Sequence, residues 1–240
     1  MKNQRLDKII ASQTSLSRKQ VASFIKKGEL TVDGEVVLSP DAKADPEKSE
    51  IIFHGELLDY RKHVYIMMNK PKGVLSASTD KNKKTVVDLV PDELKRDGLF
   101  PAGRLDKDTT GFLLLTDDGE FAHKILSPKN HVVKTYRAKI EKPISSSDIK
   151  TLEKGITLKD GTSFKECEIN TLSDDKTEIE IKICEGKYHQ IKRMLAFVNN
   201  QVIGLERVSM GNLTIDKVLK EGECRLISEE ERKLISDFDE

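Results

Sequence analysis

Gly103-Arg104-Leu105-Asp106-Lys107-Asp108-Thr109-Thr110-Gly111 runs straight into Phe112-Leu113-Leu114-Leu115. A guanidinium, two carboxylates and two hydroxyls are thus gathered into a glycine-bounded loop ahead of an apolar run. The run predicts a buried strand, and a polar loop at the edge of such a strand is where active-site groups often sit. The flanks extend the pattern. Val64 to Met68 reads as another buried strand, closed by Asn69-Lys70-Pro71-Lys72-Gly73. Asp117-Asp118-Gly119 is a turn, and Phe121 to Leu126 has the length and spacing of a short helix ending before Ser127-Pro128.

Further on, Tyr136, Ala138 and Ile140 alternate with Arg137 and Lys139, and Ile179, Ile181 and Ile183 alternate with Glu180 and Lys182. Period-two alternation predicts half-buried strands. Ile191, Met194, Leu195 and Val198 instead have helical spacing, so Tyr188 to Val198 is expected to be a helix. Strands of both kinds mixed with helices predict an α+β domain, a mixed sheet with packed helices, over residues 61–240.

Residues 1–60 form a smaller module and linker. Leu6, Ile9 and Ile10 make a helical stripe; Ser17 with Gln20 is a capping box ahead of Val21, Phe24 and Ile25. Gly28 can stop that second helix in a left-handed conformation. Leu30 and Val32, then Asp33-Gly34, then Val36 and Val37 spell a hairpin. Residues 39–63, interrupted by Pro40, Pro46 and Gly55, are expected to finish the module and lead into a linker.

With 37% apolar and 34% charged residues, the chain of 240 has the composition of a soluble globular protein. No apolar run approaches the roughly 20 residues of a membrane span, and the start lacks a secretory apolar segment. Cys167, Cys184 and Cys224 are widely separated, with neither a zinc pattern nor a disulfide framework, so a cytoplasmic protein with reduced thiols is expected. Net charge is zero, but its distribution is uneven: residues 1–28 hold seven Lys/Arg against one acid, Asp7, while residues 216–240 hold nine acids against five bases. Nucleic-acid binding needs a local positive face rather than a basic average.

The Gly-Arg-Leu-Asp segment closely resembles the catalytic segment of pseudouridine synthases that modify ribosomal RNA. Arg5-Leu6-Asp7-Lys8, Ser17-Arg18-Lys19 and Val32-Asp33-Gly34 resemble the S4 RNA-binding domain. That second resemblance implies capture of structured RNA through Arg5, Lys8, Arg18, Lys19, Lys26 and Lys27. The first implies that Asp106 is the catalytic carboxylate, acting as a nucleophile or stabilising a charge-separated sugar. Arg104 would then insert beside the flipped nucleotide or hold a flanking phosphate. Asp108, Thr109 and Thr110 are expected to shape the loop.

Lys134-Thr135-Tyr136 is similar to a second segment of the family. Tyr136 offers a ring to stack on the target base and a hydroxyl for proton transfer. A third segment is Glu185-Gly186-Lys187-Tyr188-His189-Gln190-Ile191-Lys192-Arg193-Met194. Here Lys192 stands where related synthases place the basic partner of the catalytic Asp, with Arg193 as a rival partner or an RNA contact. Lys192 in place of a common Arg would alter the geometry at the carboxylate. Tyr188 through Arg193, together with Lys70-Pro71 and Val208-Ser209-Met210-Gly211, resembles the 16S rRNA branch, with Tyr188 and Lys70 as substrate contacts. The resemblance implies a monomer acting on 16S rRNA or a partly assembled small ribosomal subunit, with no cofactor, no metal and no membrane. A large-subunit (23S) synthase of the same architecture is the alternative, and a noncatalytic RNA-binding protein is a reading from a different class.

Overall fold

The computed structural model describes residues 3–14 and 16–236, so Lys2 and the last four residues, Asp237 to Glu240, lie outside the described residues. It divides into two compact units. One is Met1–Val64 with Val90–Leu99; the other is Tyr65–Leu89 with Phe100–Glu240.

In the first unit, helices Leu6–Gln13 and Arg18–Lys26 bury Leu6, Ile9, Ile10, Val21 and Ile25 against Leu30, Ile51 and Phe53. The capping box forms as the sequence predicts. Ser17 accepts from the Gln20 backbone N–H, and the Gln20 side chain accepts from the Ser17 N–H at 2.9 Å. Gly28 ends the helix at φ +82°. Asp33 and Gly34 both take positive φ, as a two-residue turn between Leu30–Val32 and Glu35–Val36 requires.

Residues 39–63 contribute strands to this unit. Ile51–Phe53 pairs with the other edge of Leu30–Val32, Glu56–Leu57 pairs beyond it, and both Ile51 and Phe53 are core residues. Three consecutive apolar residues are too few to show a period, which is why this strand is hidden in the sequence. Asp92–Leu94, a 3₁₀ turn, belongs to the same unit, where the Arg96 guanidinium donates to the Arg61 carbonyl at 2.7 Å.

The second unit is the predicted mixed sheet. Its strands run Glu168–Thr171, Glu178–Ile183, Lys134–Ile140, Val202–Met210, Thr110–Thr116, Tyr65–Lys70, Cys224–Leu226 in spatial order. Neighbours are antiparallel except where Val202–Met210 meets Thr110–Thr116 in parallel. At that junction a Cβ on Gly111 would sit 2.3 Å from the Arg207 carbonyl oxygen, so glycine is required at the loop's end.

Phe112 and Leu114 face one side of the sheet. There they pack with Phe121, Ala122 and Ile125 of helix Gly119–Leu126 and with Ile235 of helix Glu229–Ser236. Asp118, read from sequence as a turn residue, also caps helix Gly119–Leu126 by accepting from the Phe121 N–H at 2.9 Å. Within the acidic carboxyl-terminal stretch, Glu229–Ser236 forms a helix. Arg232 lies over the rings of Tyr65 and Phe121, 5.3 Å from each centroid. No helix among the described residues is long and apolar enough to cross a membrane.

Candidate active site

On the other face of the sheet, Tyr136, Ile183 and Leu205 line a cleft closed by the Arg104–Thr109 loop and by the segment from Gly186 into helix Gln190–Phe197. Three anchors fix the loop. Ser76 donates its hydroxyl proton to the Leu105 carbonyl at 2.9 Å and accepts from the Leu105 N–H at 3.1 Å. The Gly73 N–H donates to the Lys107 carbonyl at 2.8 Å. The Lys70 ammonium donates to the carbonyls of Pro71 and Thr109, each at 3.0 Å, and of Lys107 at 3.4 Å.

That last arrangement corrects the substrate-contact expectation for Lys70. Its side chain is fully buried and its donors face backbone carbonyls, so it is a pin for the loop, not a surface for RNA. Burial brings its pKa down to about 8, against the pull of Asp108 and Asp106. Lys134 is held in the same way, donating to the Val132 carbonyl at 2.7 Å, with burial and then repulsion from Arg207 lowering its pKa to about 8.

Asp106 emerges from the fixed loop 27% exposed, and Lys192 donates to its Oδ2 at 3.0 Å. The same ammonium reaches Asp108 Oδ1 at 2.6 Å, so one cation bridges two carboxylates. His189 Nε2 stands 3.5 Å from Asp106 Oδ1. Asp108 titrates below its ordinary range because of the Lys192 hydrogen bond. On Lys192 desolvation pulls the pKa down, but the two carboxylates overcome it and raise the value. A cation in the first turn of a helix opposes the helix dipole; the paired carboxylates offset that cost.

The turn that delivers Lys192 is built locally. His189 takes φ +50° just before the helix, a conformation uncommon outside glycine. Buried Glu185 and Gln190 brace it. Gln190 donates to Glu185 at 2.9 Å and accepts from the Lys187 N–H at 3.1 Å, while Glu185 also accepts from the Lys165 N–H at 2.9 Å.

The structure therefore brings together Asp106, Lys192, Tyr136 and Arg104. It does not bring in Arg193 or Tyr188. Arg193 pairs with Asp160, donates to Thr162 and lies 5.5 Å from the Phe164 ring centroid, so it cannot at the same time serve Asp106. Tyr188 is 74% exposed and stacks on His189, outside the cleft lining.

In the first unit, Lys8, Arg18, Lys19, Lys26 and Lys27 are exposed. Arg5 and Arg18 both converge on buried Asp7, at 2.9 and 3.1 Å. Lys27 lies 5.6 Å from the Phe24 ring centroid.

A family model for RNA pseudouridylate synthase matches residues 64–197, which contain the loop, Tyr136 and Lys192, and an S4 domain model matches residues 4–48. The chain belongs to the RNA pseudouridylate synthase family. It is 46% identical to an uncharacterized RNA pseudouridine synthase of Bacillus subtilis (strain 168), covering 97% of this chain and 98% of that one. It is 39% identical to the ribosomal small subunit pseudouridine synthase A of Escherichia coli (strain K12), covering 95% and 97% respectively. A solved pseudouridylate synthase superposes with a TM-score of 0.67 at 35% identity, covering 97% of this chain and 99% of that one.

Sequence reasoning about this synthase passed over Ser76, Glu185 and Gln190. Ser76 lies 29 residues before Leu105, and nothing local signals the contact. Glu185 and Gln190 stand inside a motif already singled out, and their five-residue spacing around a glycine was the available sign of a braced turn.

Proposed function

We propose that this synthase isomerises a uridine of 16S ribosomal RNA to pseudouridine, with Asp106 as the catalytic carboxylate and no cofactor. The observation that carries the reading is the Asp106–Lys192 pair at the mouth of a cleft floored by Tyr136. The small-subunit relatives, similar over almost the full chain, support the choice of RNA.

The reaction breaks the C1′–N1 bond of uridine, turns the released base and joins C5 to C1′; the C5 proton leaves and N1 gains one. Whether the carboxylate attacks C1′ or steadies the charge-separated sugar, it must be ionised, and the Lys192 ammonium 3.0 Å away is the counter-charge that positions it. Extruding the base costs a few kcal/mol. Stacking on Tyr136 and a phosphate or nucleotide contact from exposed Arg104 offset that cost. The basic helices of the first unit would hold structured RNA through phosphates while the cleft acts on one nucleotide.

The test is parallel conversion of 16S and 23S precursor RNAs, naked and in partly assembled subunits, with the modified position mapped. Pseudouridine in 16S RNA is the expected outcome. Modification confined to 23S RNA would transfer the assignment to the large subunit, and RNA binding without isomerisation would return the protein to a noncatalytic role.

A further inference from the structure

Thr109 was expected only to shape the loop, and its backbone does so. Its N–H donates to the Asp106 carbonyl at 3.1 Å and its carbonyl accepts from Lys70. Its side chain does something else. The residue is 2% exposed, its hydroxyl oxygen has no hydrogen-bond partner among the described residues, and it lines the cleft beside Asp106 and Tyr136. Buried hydroxyls are nearly always paired, so one left open at the wall of a reaction cleft calls for an explanation. Arg207 also has an unpartnered nitrogen, but its guanidinium already donates to the Phe112 carbonyl and does not line the cleft.

Asp106 is partly exposed, whereas Tyr136 and Thr109 are buried, and all three line the same cleft. A nucleotide that sets its C1′ at Asp106 and its base against Tyr136 would occupy the cleft whose wall includes Thr109.

We propose that the Thr109 hydroxyl is a substrate contact, completing its hydrogen bonding with the uracil edge of the nucleotide drawn into the cleft. This rests on the proposed function. Uracil presents carbonyl acceptors and N–H donors in turn as it rotates, and a hydroxyl both donates and accepts. One side chain can therefore serve the base before and after it turns.

Thr109→Val keeps the shape and removes the hydroxyl; Thr109→Ser keeps the hydroxyl. Both are compared with the wild type by thermal unfolding of the free protein and by steady-state conversion of a 16S RNA transcript. The expected result is an unfolding midpoint for Thr109→Val equal to or above that of the wild type. Its kcat/KM should fall roughly 10- to 100-fold, as for an enzyme contact that leaves a buried polar group unpaired, with Thr109→Ser close to the wild type. Wild-type turnover by Thr109→Val would overturn the proposal. So would a lowered midpoint in Thr109→Val that Thr109→Ser restores, because the hydroxyl would then have a partner within the free protein. If the wild type converts no uridine in either ribosomal RNA, the functional reading fails by itself, and the midpoints still decide whether the hydroxyl is open.

Discussion

Asp7 and Asp106 each sit between two basic side chains, yet the chemistry open to them differs. Asp7 is 7% exposed and accepts four hydrogen bonds: Arg5 Nε and Nη2 at 3.1 and 2.9 Å, and Arg18 Nη2 to both oxygens at 3.1 Å. Its lone pairs are committed. Asp106 is 27% exposed, accepts from Lys192 on one oxygen, and among the described residues has only the longer His189 approach on the other. Charge pairing alone therefore does not mark a reactive carboxylate. On the proposed function, what sets Asp106 apart is pairing that leaves one oxygen without a close hydrogen bond among the described residues, in a cleft. Burial pushes the Asp7 pKa up, but the hydrogen bonds and charges of Arg5 and Arg18 outweigh it and hold the group below its ordinary range. Asp7 belongs to folding and to the posture of two arginines.

The sharpest way to break this contrast is to neutralise each carboxylate in turn. Asp106→Asn should lower turnover on the order of 10³-fold or more. Its unfolding free energy should move by less than about 1 kcal/mol, because the Lys192 pair is partly exposed and Asp108 remains. A folded Asp106→Asn enzyme with normal turnover would remove Asp106 from the chemistry and make Asp108 the next residue to examine. The next largest effect concerns the cation. Lys192→Met should slow turnover about 100-fold, since Asp106 and Asp108 would lose the ammonium that bridges and positions them. Lys192→Arg should recover much of the rate. Wild-type turnover by a folded Lys192→Met enzyme would mean that the ammonium does not position the carboxylate.

The loop and the strands flanking it were legible in the sequence because each lies in a contiguous motif or a plain period, whereas the Asp106–Lys192 partnership, between residues far apart in the chain, was implied only by the family resemblance. What was hidden came from distance or from environment. Ile51–Phe53 is too short to show a period, and Ser76 meets Leu105 only after the sheet has formed. Lys70 was expected as a substrate contact, and tertiary burial makes it an internal pin. Arg193 and Lys192 are neighbours in a motif of cations. Helix geometry sends them to different partners about 100° apart, and that divergence shows only once Asp160 and Asp106 are placed.

Asp7→Asn should act on the other side of the comparison. Catalysis on a short RNA held at saturation should be unchanged, while stability of the first unit falls by about 1–3 kcal/mol; the loss is less than for a wholly buried pair because both arginines are half exposed. Affinity for structured RNA should fall several-fold although the unit becomes more positive. Tighter binding instead would show that net charge, and not the fixed posture of Arg5 and Arg18, governs capture.

The last effect lies in the loop's internal pin and is read as a slope with pH. The Lys70 pKa in the folded protein is about 8, against an ordinary value of 10.5. Between those values the unfolded chain holds the proton that the folded one has released. Stability attributable to Lys70 therefore rises with pH through that window, by at most about 1.4 kcal/mol per pH unit. Below about pH 8 both states are charged, and the cost of burying the ammonium is present in full. Lys70→Met removes this titration while leaving Cys167, Tyr65 and Lys134 in place, so their contributions cancel in the difference between the two proteins. Urea unfolding at pH 7, 8.5 and 10 should show the wild type gaining on Lys70→Met as pH increases. A difference that stays flat would mean that the three carbonyls of Pro71, Lys107 and Thr109 compensate the charge as fully as water does. Lys70 would then belong with Asp7, among groups whose surroundings fix them without unsettling their charge.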